Sequence, residues 1–242
     1  MLTGPQFPPS IPEGAAQAQA AVTAATLAAG REPGAVTLVA VSKLQPATAV
    51  VTAHQAGLRH FGENYVKEGV AKVQALAHLP LVWHFIGALQ ANKTRAVAEH
   101  FDWVHTVDRF RLAERLAAQR PPNRPPLQVC LQVMLEPEPG KAGLAPPEVP
   151  ELAIAIAALP GLQLRGLMCI PPPETDPVRQ RRHFRALAAL LRELQSCGLP
   201  LDTLSMGMSS DFAAAILEGA THVRLGTAIF GSRPSPVPRN SA

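Results

Sequence analysis

VAVSKLQP, residues 39–46, runs from an apolar segment straight into a lysine and then towards a proline. The apolar part begins at Val36 and is nearly continuous, instead of placing apolar residues only at alternate positions. A strand that is buried on both faces has this pattern, and such strands are typical of parallel sheets in α/β proteins. The segment therefore predicts a buried parallel strand that ends beside an amine, Lys43.

Seven further short apolar runs follow, and helical patterns separate them. Long helical connections favour parallel pairing, and a chain of 242 residues has the length of one α/β barrel. The sequence therefore predicts a single (β/α)8 barrel of the TIM type, with a doubly wound open sheet as the alternative. The eight predicted strands are residues 36–41, 58–61, 82–86, 103–107, 127–135, 162–170, 201–206 and 222–225.

An extra N-terminal helix is predicted before the first strand. Ser10 and Glu13 fit a capping box at its start, and Gly30 is a typical stop signal. Prolines are frequent at both ends of the chain, which predicts flexible tails outside the barrel. The predicted limits are a tail at residues 1–9, the barrel domain at 10–233 and a tail at 234–242.

The composition, 47% hydrophobic and 17% charged, is typical of a globular protein, and no apolar run reaches the length of a membrane span. The net charge of +4 suits a phosphate-bearing ligand but is too small to indicate nucleic-acid binding. The N-terminus lacks the pattern of a secretory signal. We therefore expect a cytoplasmic protein, a monomer, without nucleic-acid or membrane partners.

The three cysteines are an odd number and have no CxxC spacing. This pattern argues against both a disulfide framework and a zinc site, and we expect no metal. We expect Cys130, Cys169 and Cys197 to be reduced thiols in the core.

Two turns near the end of the chain predict a phosphate site. Active sites of such barrels lie at the carboxyl ends of the strands, and phosphate tends to bind after strands seven and eight. After strand seven, Ser209 or Ser210 can cap a helix over residues 211–219. After strand eight, Gly226 allows close backbone approach, and N–H groups near Thr227 can bind an anion. Ordinary helix capping is the alternative for each turn.

Lys43 follows strand one and should reach the same barrel mouth. An amine there, partly desolvated and near Arg224, can form a Schiff base with a carbonyl compound. The alternative is a lysine that simply extends from the strand end into water. A reactive lysine facing a phosphate site is typical of a pyridoxal 5′-phosphate (PLP) site, or of an aldolase acting on a phosphorylated sugar.

Arg224 helps to separate these two chemistries. It lies two residues before Gly226, on the same side of its strand. If a pyridine ring lies between Lys43 and the phosphate site, Arg224 can donate to the ring nitrogen. A donor that is always charged keeps this nitrogen unprotonated, which weakens the ring as an electron sink. A surface ion pair is the alternative role for Arg224.

Six motifs occur in order along the chain, and together they resemble the pyridoxal phosphate homeostasis protein family (YggS/PROSC type). The resemblance implies a fold type III PLP-binding barrel, similar to the N-terminal barrel of alanine racemase. Met134 departs from the family, which often has asparagine at this position. His84 and Asn92 lie within a matching motif, but packing and helix capping explain them as well as a role in the site does. The motifs are VAVSK (39–43), HFGENYVKEG (60–69), WHFIGALQANK (83–93), RGLMCIPPP (165–173), SMGMSSD (205–211) and VRLGTAIFG (223–231).

The resemblance also implies a role for each matching site residue. Lys43 would hold PLP as an aldimine, and Arg224 would face the pyridine nitrogen. The other implied positions are Ser209, Gly226 and Thr227 at the phosphate, with Asn64 and Ser205 near the cofactor.

The implied function is intracellular PLP (vitamin B6) homeostasis with little or no turnover, no catalytic residue, and PLP-requiring apoenzymes as candidate partners. The alternative is a racemase-like enzyme, which needs a second acid/base opposite the lysine. Racemases of this fold type use a tyrosine from an added domain. We expect no such domain after strand eight, and the single tyrosine, Tyr65, follows strand two. An aldolase without PLP and a pure interaction protein are the remaining alternatives.

Overall fold

The structure is a computed structural model that describes residues 10–136 and 142–231. The predicted tails, residues 1–9 and 234–242, lie outside these ranges, so the domain limits stay predictions. Eight strands pair in parallel, in chain order, to form a closed barrel: β1 Thr37–Val41, β2 His60–Glu63, β3 Val82–Phe85, β4 Trp103–Val107, β5 Leu127–Gln132, β6 Leu162–Met168, β7 Thr203–Ser205 and β8 His222–Leu225. The predicted (β/α)8 barrel is confirmed, and the open sheet is wrong.

The barrel closes where β1 pairs with β8, with Val39 opposite Arg224. Helices surround it: α1 Ile11–Ala28, α2 Ala47–Gln55, α3 Val66–Ala75, α4 Thr94–His100, α5 Phe110–Gln119, α6 Val149–Ala157, α7 Pro177–Ser196, α8 Phe212–Leu217 and α9 Thr227–Phe230. Short 3-10 turns occupy Ala91–Lys93 and Pro146–Glu148. Within the described ranges, none of these helices combines the length and the apolar character that crossing a membrane requires.

The helix before the first strand, α1, packs against α2, α8 and α9. Its N-cap is Ser10, whose side-chain oxygen accepts a hydrogen bond from the N–H of Glu13 at 3.4 Å. Ala15, Ala18 and Val22 form part of its buried face. These small side chains allow close approach, so α1 covers the side of the barrel where β8 meets β1.

The turn after β7 differs from the prediction. The helix α8 starts at Phe212, so Asp211 takes the N-cap position, and neither Ser209 nor Ser210 does. The Asp211 carboxylate accepts a hydrogen bond from the N–H of Met208 at 2.5 Å, which closes the turn. Both serines are exposed on this turn.

The expectation of three core thiols is wrong for one cysteine. All three are free, but Cys197 is exposed because it follows the last residue of α7, at the surface. Cys130 and Cys169 are buried, and burial raises the pKa of each thiol to about 12. These two groups are therefore protonated at neutral pH.

Candidate functional site

A cavity of about 300 Å³ lies at the barrel mouth, beside the carboxyl ends of β1, β2, β7 and β8. All strands of a parallel barrel end at one rim, which is why distant residues meet there. Of the seven predicted site residues, only Ser205 does not line it, because Ser205 is fully buried behind Arg224. The other six do so: Lys43, Asn64, Ser209, Arg224, Gly226 and Thr227.

Lys43 lies two residues beyond the end of β1, in the loop that leads to α2. Its side chain is partly exposed and borders the cavity. The next residue, Leu44, has a left-handed φ of +64° and is the only non-glycine residue with positive φ in the described ranges. The backbone is therefore strained beside the amine, as often occurs at functional sites.

The turns after β7 and β8 bring hydroxyl groups to the cavity, from Ser209 and Thr227. The first N–H groups of α9 have no acceptor within that helix, as at any helix start. However, α8 and α9 have only six and four residues, so a helix dipole adds little here. Hydroxyls and turn N–H groups supply most of the capacity of these two turns to bind an anion.

Gly226 has a packing role that the sequence did not indicate. A Cβ atom at this position would lie 3.2 Å from the carbonyl oxygen of Val41 and 3.4 Å from its Cβ. A side chain here would therefore require Val41 to shift by a few tenths of an ångström. The glycine thus relieves packing between the ends of β1 and β8, besides any contact with a ligand.

Arg224 is buried in the barrel at 5% exposure, so the surface ion pair considered for it is wrong. Its Nη1 donates to Ser205 Oγ at 2.7 Å, and its Nη2 donates to the carbonyl oxygen of Cys169 at 2.9 Å. In the described part of the chain, no carboxylate lies within ion-pair distance of this guanidinium. Burial lowers the pKa of Arg224. Neutral groups therefore hold this cation in place.

Three histidines continue the hydrogen bonds from Ser205 through the barrel. His105 Nδ1 lies 2.7 Å from Ser205 Oγ, and His105 Nε2 lies 2.9 Å from His84 Nδ1. His84 Nε2 then lies 3.0 Å from His60 Nδ1. We call His60, His84 and His105 the histidine file. Burial lowers the pKa of all three, and those of His84 and His105 lie well below the usual value, so these imidazoles are neutral.

Arg224 fixes the direction of the first of these hydrogen bonds. A guanidinium can only donate, so Ser205 Oγ accepts from Arg224, and its own proton is available to His105 Nδ1. When Ser205 donates to His105 Nδ1, each imidazole carries its proton on Nε2 and donates away from Arg224. In this tautomer the dipoles point their negative ends towards the guanidinium, which stabilises a buried cation without a carboxylate.

The histidine file was not found from the sequence, although one signal was present. Consecutive predicted strands β2, β3 and β4 each contain a histidine, in HFGE, VWHF and WVHTV. Only the register of the barrel shows that these side chains meet in its interior. In the described ranges, no group of three or more His, Cys, Asp or Glu side chains is arranged to hold a metal ion. The side chains of the file form hydrogen bonds with one another and with Ser205.

Other residues of the matching motifs take different places. His84 belongs to the buried file, whereas Asn92 is exposed in a 3-10 turn and has no side-chain capping bond there. Met134 lines a neighbouring cavity of about 270 Å³, so it affects the polarity of the barrel mouth on that side.

Asn64 offers an unpaired acceptor at the cavity. Its Oδ1 is buried and has no hydrogen-bond donor among the described residues. Asn64 lines both cavities. Buried acceptors are seldom left unpaired, so a ligand hydroxyl suits this position. An amine, a buried guanidinium, hydroxyl-bearing turns and this acceptor together fit a phosphorylated hydroxypyridine aldehyde, the chemical class of PLP.

The chain matches the family described as "Alanine racemase, N-terminal domain" over residues 19–234. It is 55% identical to the pyridoxal phosphate homeostasis protein of Pseudomonas aeruginosa, over 95% of this chain and 98% of that protein. It is 51% identical to the protein of the same name from Escherichia coli, over 90% of this chain and 94% of that protein. It is also similar to the solved structure of PipY from Synechococcus elongatus with PLP bound. The TM-score is 0.81 and the identity 41%, over 92% of this chain and 100% of PipY.

Proposed function

The chain belongs to the pyridoxal phosphate homeostasis protein family, and we propose that it binds PLP in the cavity at the barrel mouth. One observation carries the proposal: a single cavity gathers Lys43, the buried Arg224 and the hydroxyl-bearing turns at Ser209 and Thr227. The names of its relatives and the PLP-bound state of PipY support it.

The proposed contacts follow from donor and acceptor chemistry. When bound, PLP supplies an aldehyde that reacts with amines and a pyridine ring that can withdraw electrons. Ser205 acts indirectly, because it holds Arg224 in place. The proposed partners are Lys43 for the aldehyde, Asn64 for the ring hydroxyl, Arg224 for the ring nitrogen, and Ser209, Gly226 and Thr227 for the phosphate.

We propose that the protein stores and supplies PLP and has little or no turnover. Arg224 can only donate, so it favours an unprotonated ring nitrogen, and an unprotonated ring is a weak electron sink. Tyr65 lines a different groove of the surface and does not border the cavity, so it gives no second acid/base there. In this role no residue is catalytic, PLP-requiring apoenzymes receive the cofactor, and the protein acts as a cytoplasmic monomer.

Covalent attachment at Lys43 can be tested directly. We expect purified protein loaded with PLP to be yellow, and borohydride to bleach this colour. Peptide mass mapping should then place the pyridoxyl group on Lys43, and Lys43→Ala should abolish the labelling. A label on Lys93, which lies in a different groove, would contradict the assignment.

The phosphate contacts are best tested by a substitution at Thr227 and not by a bulky residue at Gly226. A bulky residue at Gly226 would clash with Val41, so Thr227→Val is the better test, because it removes one hydroxyl and keeps the side-chain volume. We expect this change to weaken binding of PLP about tenfold, and to weaken unphosphorylated pyridoxal much less. Equal losses for the two ligands would place the phosphate elsewhere.

The supply role and the racemase alternative predict different products. The loaded protein is incubated with D- and L-alanine and, separately, with a PLP-requiring apoenzyme. We expect transfer of PLP to the apoenzyme without appreciable racemisation. Racemisation near the median enzyme rate of about 10 per second would instead favour the racemase alternative. Absence of any bound PLP would leave the aldolase and interaction-protein alternatives.

A further inference from the structure

We propose that Lys72, together with Glu63 and Glu68, positions Lys43 by holding the backbone on both sides of it. This inference rests on the proposed function, because it assigns a purpose to an accurately placed amine. We call Glu63, Glu68 and Lys72 the clamp. Its members lie at the end of β2 and on α3, and none of them borders the cavity itself.

The first half of the clamp holds Ser42, the residue before Lys43. Ser42 Oγ donates to Glu63 Oε1 at 2.6 Å, and Lys72 Nζ donates to the carbonyl oxygen of Ser42 at 2.7 Å. Lys72 Nζ also donates to Glu63 Oε1 at 2.8 Å. All three residues are buried, so water does not compete for these bonds.

The second half holds Leu44, the residue after Lys43. Its backbone N–H donates to Glu68 Oε1 at 2.6 Å, and the same oxygen accepts from Lys72 Nζ at 2.7 Å. Leu44 has the strained φ of +64°, and its side chain is 46% exposed. A backbone bond from the N–H of Gln45 to the carbonyl oxygen of Ser42, at 3.1 Å, closes the turn around Leu44, and the bond to Glu68 ties this strained turn to α3.

The ammonium of Lys72 joins the two halves. It has three protons, and each has an acceptor: Ser42 O, Glu63 Oε1 and Glu68 Oε1. The group is therefore saturated and cannot take part in chemistry at the cavity. Its geometry links α3 to the residues on both sides of Lys43.

The close approach of α3 to β2 depends on Gly69. A Cβ atom there would lie 2.6 Å from Phe101 Cζ and 3.1 Å from Glu63 Cβ. Without a side chain at Gly69, α3 lies near enough for Lys72 to reach the end of β1. Burial raises the pKa of Glu63, while Lys72 and Ser42 oppose the increase.

The clamp should affect the reaction of the Lys43 amine with an aldehyde bound in the cavity. Condensation of the Lys43 amine with an aldehyde forms a carbon–nitrogen double bond and releases one water, without any oxidant. A lysine side chain has many rotamers, so a fixed backbone raises the fraction of amines that meet the aldehyde. The clamp should thus favour attachment of PLP without affecting contacts to its phosphate or ring.

Glu68→Ala is the test variant, because Glu68 is the most exposed member of the clamp and lies on a helix where alanine is favourable. The matched control is Glu99→Ala, since Glu99 also forms an i,i+4 ion pair on a helix, with Arg95 at 3.6 Å. Two ligands are compared: PLP, and pyridoxamine 5′-phosphate, which lacks the aldehyde.

We expect Glu68→Ala to weaken PLP binding about tenfold and to leave pyridoxamine 5′-phosphate binding unchanged, with no change for either ligand in Glu99→Ala. Equal loss of both ligands would overturn the proposal, because the clamp would then support the cavity as a whole. No loss of either ligand would overturn it as well.

Hydrogen exchange of the Leu44 amide gives a second readout that needs no ligand. We expect this amide to exchange at least tenfold faster in Glu68→Ala than in the unchanged protein or in Glu99→Ala. Unchanged exchange would overturn the clamp. Failure of the unchanged protein to attach PLP would instead reject the proposed function, and the exchange measurement would still decide whether Leu44 is held.

Discussion

Lys43 and Arg224 border the same cavity, but the protein holds them by opposite means. The residues around Lys43 are fixed by charged groups: Lys72 lies 2.8 Å from Glu63 and 2.7 Å from Glu68. The guanidinium of Arg224 is fixed by neutral groups, namely the carbonyl oxygen of Cys169 and the hydroxyl of Ser205, which is itself bonded to the histidine file. One side of the site therefore uses ion pairs, and the other uses dipoles.

Burial does not explain the difference, because Glu63 and Lys72 are as buried as Arg224. On the charged side, the ammonium of Lys72 pairs with both carboxylates, so opposite charges compensate each other there. A carboxylate beside Arg224 would neutralise the guanidinium, whereas neutral acceptors leave its full charge available to a ligand. Dipoles are thus the better means of holding Arg224.

The largest effect is expected at Ser205, which joins the guanidinium of Arg224 to the histidine file. Ser205→Ala leaves Arg224 Nη1 and His105 Nδ1 without their partner in a buried place. We expect a loss of about 2–3 kcal/mol in the free energy of unfolding, measured by urea denaturation. Ser196→Ala is the control, because the Ser196 hydroxyl is bonded at the surface, and it should change stability by less than about 0.5 kcal/mol. A similar small change in Ser205→Ala would mean that Arg224 does not depend on this bond.

How far the sequence predicts the molecule depends on whether a feature is local or depends on the fold. The strands could be predicted because continuous apolar runs mark them. Five of the six lining residues could be located because parallel strands end at one rim, whereas Asn64 followed only from the family resemblance. The lengths of the helices that follow β7 and β8 could not be predicted, because α8 and α9 are shorter than a typical helix. The N-cap of α8 is Asp211, and a turn fixes its position.

The two holding networks could not be predicted, for a physical reason. Lys72 looks like a lysine on a solvated helix face, and only the close approach at Gly69 brings it to the end of β1. Likewise, the histidine file depends on the register of three strands. The family motif included Ser205 as a residue near the cofactor, but the structure places it between Arg224 and His105.

An intermediate effect is expected in the dependence of stability on pH. The pKa of His84 is lowered in the folded protein, so His84 contributes stability above its unfolded pKa of about 6.5, and this stability is lost as the pH falls. Each such histidine adds a slope of about 1.4 kcal/mol per pH unit below about pH 5.5, because only the unfolded chain takes up the proton.

His84→Gln should therefore make the fall in stability between pH 5.5 and 4.5 shallower by about 1.4 kcal/mol per pH unit. Urea denaturation at several pH values measures this slope. His78→Gln is the control, because His78 is exposed and its imidazole stays in water in both states. If both variants kept the slope of the unchanged protein, the histidine file would not be neutral in the folded state.

The smallest effect is expected at Leu44, on the charged side of the site. Its φ of +64° is costly for leucine but not for glycine, whereas a glycine costs more entropy in folding. Because relief of strain should slightly exceed this entropy, we expect Leu44→Gly to raise stability by no more than about 1 kcal/mol. Leu27→Gly is the matched control, since Leu27 is 54% exposed on α1, and it should lower stability by about 0.5–1 kcal/mol. Thermal or urea unfolding measures both. A loss of more than about 1 kcal/mol in Leu44→Gly would show that the leucine side chain itself holds the loop, and the charged groups would then not be its main support.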